Sequence, residues 1–132
     1  MSRLCHFEIH ASEPQRVAAF YQSLFGWKIQ QWGTNEYWVI ETGETDSGGQ
    51  PGAVNGGILR RRGPAAAEGA PVNCFVCTLE VASTDDALAK AISLGGFMAV
   101  AKAPVPGIGW LAYAKDPDGN IFGLLQPDKS AA

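Results

Sequence analysis

The sequence predicts an α+β protein of two tandem β-α-β-β-β units forming a curved mixed sheet. Three observations predict it. The chain repeats itself at a constant shift of 70 residues, which pairs His6 with Val76, Ile9 with Leu79, Ala19 with Ala89, Leu24 with Leu94, Gly26 with Gly96 and Trp27 with Phe97. A repeat of that length marks a duplicated supersecondary unit. Each copy opens with a strand-like run followed by a capped, glycine-terminated helix. Each then continues as short β-branched and aromatic runs punctuated by Gly, Pro and Asn.

The elements follow in order. Residues 4–11 alternate, with Phe7, Ile9 and Ala11 on one face and His6, Glu8 and His10 on the other. That is a strand with an apolar packing face and a polar face turned toward water. Ser12 and Gln15 have capping-box spacing, and Pro14 fits a first helical turn. Val17, Phe20, Tyr21, Leu24 and Phe25 make one helical stripe, and Gly26 supplies a left-handed stop. Residues 27–32 and 37–41 read as strands, 42–53 as a Gly- and Ser-rich loop, and 54–61 as a strand. The first unit therefore spans 3–62, a linker 63–71, and the second unit 72–127.

The second unit repeats the plan. Residues 72–82 form a strand, Ser83 or Thr84 caps a helix with Leu88, Ala91 and Ile92 inward, and Gly95 and Gly96 end it. A short strand 97–101 leads into a Pro- and Gly-rich loop 103–109. Strands 110–115 and 121–126 flank Asp116-Pro117-Asp118-Gly119, a tight-turn sequence that makes them a hairpin.

Composition narrows the function classes. The 132 residues carry a net charge of −3, with 46% apolar and 17% charged residues, a globular balance. There is no basic footprint for nucleic acid beyond Arg60-Arg61-Arg62, which reads as a solvated face. No apolar run reaches the roughly 18 residues a membrane span needs, and the first residues carry no signal-peptide pattern. An odd count of three cysteines argues for a reducing, cytoplasmic setting. Cys74 and Cys77, three apart on a strand, point to opposite faces and read as small buried hydrophobes.

The duplicated β-α-β-β-β plan, Phe20-Tyr21, Leu24-Phe25-Gly26-Trp27 and Asp116-Pro-Asp-Gly-Asn120 together resemble the vicinal oxygen chelate superfamily. Its members include glyoxalase I, bleomycin- and fosfomycin-resistance proteins and extradiol dioxygenases. The resemblance covers about residues 3–127. It implies a cup holding a small organic ligand against the concave sheet, with helices outside, and a homodimer. It also implies four metal-ligand positions, which here carry His6, Gly57 or a close neighbour, Val76 and Gly123. Only the first offers a ligating side chain. A divalent metal of this kind needs about three protein ligands, so the resemblance implies a dismantled site and no cofactor. Gly57 and Gly123 would instead deepen the cup and let a ligand approach the backbone.

The candidate ligand-binding residues are His6, Glu8, His10, Trp38, Asn55, Gly57, Tyr113 and Gly123. Same-face residues on a strand lie about 7 Å apart. His6 with Glu8, or Glu8 with His10, can share an ion, and a third ligand would have to be a distant carboxylate such as Glu41. The simpler reading is a polar cavity wall in which Glu8 orients an imidazole. Tyr37, Trp38, Trp110 and Tyr113 sit on the third strand of each unit, and two of the four are expected to line the cavity. The leading expectation is a metal-independent binder of a small organic molecule. The alternative is a metal-dependent glyoxalase-like lyase, isomerase or dioxygenase using His6 and Glu8 for catalysis.

Overall fold

The computed structural model describes residues 1–44, 52–73, 75–115, 117–118 and 120–132. The element order is β1 (Leu4–Ala11), α1 (Pro14–Phe25), β2 (Lys28–Gln31), β3 (Tyr37–Glu41), β4 (Asn55–Arg60), then β5 (Val76–Glu80), α2 (Thr84–Ser93), β6 (Phe97–Val105), β7 (Gly109–Lys115) and β8 (Ile121–Pro127). The β-α-β-β-β plan thus occurs twice. The chain divides into two compact units, His6–Phe75 and Met1–Cys5 with Val76–Ala132. The first five residues lie with the second half, not the first as the repeat suggested. Arg3 O accepts from the Glu80 amide at 3.0 Å, and the Cys5 thiol donates to Thr78 O at 3.5 Å.

In the first unit the strand order is β2-β3-β4-β1. β1 pairs with β4 in parallel, with Glu8 opposite Gly57. β3 pairs antiparallel with both β4 and β2, so the sheet is mixed. Alternation sends Ile9, Ala11, Ile29, Trp38, Ile40 and Ile58 to one face, where they bury against Ala18 of α1. Phe7, Val17, Tyr21 and Trp27 close around them. Ile40 and Ile58 lose all solvent exposure, each worth roughly 2–3 kcal/mol of transfer free energy.

Two expectations for α1 need correction. Its N-cap residue is Glu13 and no side chain caps it, so the Ser12–Gln15 box does not form. The Glu13 carbonyl accepts from Arg16 and Val17 instead. The buried stripe is also rotated. Ala18 is buried, whereas Phe20, Leu24 and Phe25 are 58%, 57% and 57% exposed. The small Ala18 lets the helix approach the sheet closely, which turns the larger neighbours outward. Gly26 does adopt the left-handed stop, at φ 70°.

In the second unit the order is β5-β8-β7-β6, with β5 and β8 parallel. Ser83 caps α2 through the Asp86 amide as the sequence indicates. Thr84, fully buried, ties the first turn of α2 to two strands. Its hydroxyl donates to Trp110 O at 2.8 Å and its amide to Gln126 Oε1 at 3.0 Å. Ile92 is 50% exposed and does not join an inner face as expected. β6 runs to Val105, so the expected loop at 103–109 is largely strand. Pro104 is tolerated there because β6 is the last strand of its sheet, where a missing ladder donor costs little.

Parts of three expectations lie outside the described residues: Cys74, the loop section 45–51, and turn residues Asp116 and Gly119. The strands flanking that turn pair antiparallel, with Lys115 opposite Ile121. Cys5 and Cys77 are free, half-buried thiols, and burial is the main cause that raises the Cys5 pKa.

Candidate functional site

The face of the first unit turned away from α1 carries the polar residues. His6 stands opposite Asn55, Glu8 opposite Gly57, and His10 opposite Leu59. On the far side of β4, Tyr37 pairs with Leu59 and Val39 with Gly57. Tyr37, Val39, Gly57, Leu59, His6, Glu8 and His10 therefore share one face.

Gly57 organises this face. A Cβ at Gly57 would fall under 3.0 Å from Cζ, Oη and Cε1 of Tyr37. The phenol ring crosses β4 through the space a side chain would fill. Its hydroxyl reaches Nε2 of His6 at 2.8 Å. The expectation that Gly57 deepens a cup is corrected here: the space is taken by Tyr37. In the second unit the same substitution recurs. Gly123 pairs with Thr78, which stands where the repeat puts Glu8, and the Thr78 side chain fills the space beside it. Tyr113 is opposite Gly123 on its other side.

Burial sets the protonation states. It is the main cause that lowers the His6 pKa, with the Glu8 charge opposing it in part, so the imidazole is neutral at pH 7. Burial first and Glu8 second push the Tyr37 phenol well above its usual range. A protonated phenol beside a neutral imidazole donates to Nε2, which assigns the ring proton to Nδ1. Glu8 is buried on the same face and acts electrostatically on both. The result is a neutral His–Tyr pair with a carboxylate two residues away.

The depressed His6 pKa has a sign that can be checked. The unfolded chain takes up a proton near pH 6.5, while the folded imidazole resists it. The stability linked to His6 is fully present above about pH 6.5 and is lost as pH falls toward the lower folded pKa. Urea midpoints measured between about pH 7.5 and 5.5 should fall, and His6→Gln should flatten that fall. An equal decline in the variant would remove His6 from the explanation.

The remaining expected residues are placed as follows. Asn55 uses its side-chain oxygen internally, accepting from the Thr42 amide at 2.8 Å. His10 sits on the face, its ring Nε2 shielded and unpaired among the described residues. Trp38 does not belong to the site. It is 7% exposed and packs in the core on the α1 side. The one-residue parity of β3 decides this, since Trp38 shares its face with Ile40, and Tyr37 takes the opposite one. In the second unit Trp110 donates from Nε1 to Asp128 Oδ2 at 3.1 Å and lies under Lys102. The arginine run is only partly a solvated face. Arg60 bonds Glu36 and Ser12 O, and Arg61 donates to His10 O at 2.7 Å.

From sequence alone, Tyr37 is only one of four aromatics of which two would line the cavity, and Arg61 only part of a solvated face. The signal for both was a glycine in mid-strand. Gly57 fixes the parity of β4, and Leu59 and Arg61 follow at steps of two. A glycine inside a strand also marks a crossing by another group.

The donor set does not match the four-position metal site implied by the resemblance. His6 has its Nε2 engaged by Tyr37, and Gly57, Val76 and Gly123 carry no donor side chain. Among the described residues, no three His, Cys, Asp or Glu side chains cluster.

The family model for the glyoxalase-like domain matches residues 6–125. No curated protein matches the sequence. Among solved structures, the chain is similar to Streptomyces coelicolor methylmalonyl-CoA epimerase in complex with 2-nitronate-propionyl-CoA. The identity is 17% and the TM-score 0.67, over 100% of this chain and 99% of that one. It is also similar to an extradiol ring-cleaving dioxygenase from B. fuscum, with 17% identity and TM-score 0.64, over 98% of this chain and 33% of that one. A glyoxalase/bleomycin resistance protein/dioxygenase superfamily member from Vibrio splendidus 12B01 matches at 13% identity and TM-score 0.59, over 96% of this chain and 99% of that one. At these identities the likeness is one of fold.

Proposed function

Starting from a chain that belongs to the glyoxalase-like domain family, within the vicinal oxygen chelate superfamily, we propose a binding protein for a small organic molecule that works without the metal centre. The observation that carries this reading is the Tyr37 phenol in the Gly57 space, bonded to His6 Nε2. It puts a neutral organic donor where a second ligand would have to reach toward His6. An imidazole so engaged is a poor metal ligand, since the nitrogen lone pair that would bind the ion already accepts a hydrogen bond. The same pair suits recognition. A neutral His Nδ1–H and the Glu8 carboxylate offer one donor and one acceptor on a face that also carries the apolar Val39 and Leu59.

Chelator-treated protein titrated with Mn, Co, Ni, Zn and Fe(II) ions should give no stoichiometric heat. A single tight equivalent lost in His6→Ala would instead support a metal-dependent lyase, isomerase or dioxygenase. Binding itself is read as a rise in melting temperature across a library of small organic molecules. The reading includes a homodimer in the cytoplasm. The exposed Phe20, Leu24 and Phe25 of α1 and the free thiols support it, and light scattering that gives the monomer mass would count against the dimer.

A further inference from the structure

The end of the polar face beyond Tyr37 holds two groups the reading above does not use. Arg61 follows β4 directly, and its amide extends the parallel ladder by one bond to Ala11 O at 2.8 Å. Steps of two along the strand put it on the face of Gly57 and Leu59, beside His10. Its Nη2 donates to His10 O at 2.7 Å, which holds the guanidinium against β1. Its Nε is shielded from solvent and has no hydrogen-bond partner among the described residues. The same is true of His10 Nε2. Native proteins leave few buried polar atoms unpaired, and each one calls for an explanation. Here two come from residues in direct contact.

Charge sharpens the point. Arg3, Arg16 and Arg60 each face a carboxylate of the chain, Glu80, Glu13 and Glu36. Among the described residues Arg61 forms no ion pair, although it is half-buried. A partly desolvated guanidinium without a counter-charge is costly. An anionic oxygen satisfies the guanidinium fork, including Nε, and accepts from a His10 ring N–H as well. A neutral amide or ester offers no counter-charge.

We propose that Arg61 and His10 form an anion-binding end of the ligand face, which selects a small organic molecule bearing a carboxylate or phosphate group. This rests on the ligand-binding reading above but not on its metal independence. The Tyr37–His6 pair would then meet the uncharged part of the same molecule, since both lie on one face of the sheet.

The test uses isotope-labelled, chelator-treated protein titrated with succinate, inorganic phosphate and succinamide. Succinate or phosphate should shift the Arg61 Nε–H and His10 ring signals to saturation, while succinamide should leave them in place. The anion with the tighter saturation identifies the carboxylate or the phosphate source. Arg61→Gln should weaken that anion at least tenfold, and Arg61→Lys less, because the charge stays but the fork is lost. No saturation by either anion, or an equal response to succinamide, overturns the proposal, even if Arg61→Gln fails to fold. Because metal and chelator are both removed before the titration, an ion bound in the separate metal titration leaves this outcome unaffected.

Discussion

Gly56→Ala is expected to destabilise the protein by roughly 3 kcal/mol, at the upper end of overpacking costs. Gly56 is buried opposite Phe7 in the parallel β1–β4 ladder. An added Cβ would fall under 3.0 Å from the Phe7 carbonyl oxygen and 2.9 Å from both Phe7 Cδ atoms. A ring can rotate away, but a strand carbonyl cannot move without opening the ladder. Phe7 also stacks at 5.8 Å on Phe75 and tilts against Trp27 at 6.0 Å, so the ring too is hemmed in. With a total stability of about 5–15 kcal/mol for a domain, such a loss is a large share of the whole. Urea denaturation measures it. A change under about 0.5 kcal/mol, the level of an ordinary surface substitution, would mean that β1 and β4 are not packed this closely.

One residue along, Gly57→Ala should act differently, with its largest effect on the site. The atoms in its way are the outer end of the Tyr37 ring, not backbone. Tyr37 can swing off the sheet, at a cost of about 1–2 kcal/mol from the lost hydrogen bond and packing. Its hydroxyl then leaves His6 Nε2. Water reaches the imidazole, and the burial that depresses its pKa is relieved, so that pKa rises. An NMR titration of the His6 ring should show the upward shift, and ligand-induced melting shifts should shrink at least tenfold in apparent affinity. Tyr37→Phe separates the two parts, because it keeps the ring in the Gly57 space but removes the bond. If Gly57→Ala leaves the His6 titration unchanged, the phenol is not what shields His6.

The two glycines differ only in face, and face is what a strand sequence specifies least securely. The alternation in residues 4–11 was strong enough to read directly: Phe7, Ile9 and Ala11 went to the core, and His6, Glu8 and His10 to the other side. In Tyr37-Trp38-Val39-Ile40-Glu41 every inner residue is apolar, so either parity is plausible and a slip of one residue exchanges Trp38 for Tyr37. The helix stripe failed for a related reason. Phe20, Leu24 and Phe25 are more hydrophobic than Ala18, yet the small residue packs nearest the sheet.

By itself, the chain's sequence determined the duplicated β-α-β-β-β order, the strand and helix limits to within a few residues, and the two faces of β1. These are local or compositional properties, carried by periodicity, capping residues and residue identity. Only the tertiary structure decided that the Gly57 space belongs to Tyr37, that Asn55 serves Thr42, and that His10 and Arg61 meet with nitrogens unpaired among the described residues. Each of those depends on which side chain crosses from a neighbouring strand. That is set by ladder register and packing among residues 13 to 51 positions apart, information that no single stretch of sequence contains.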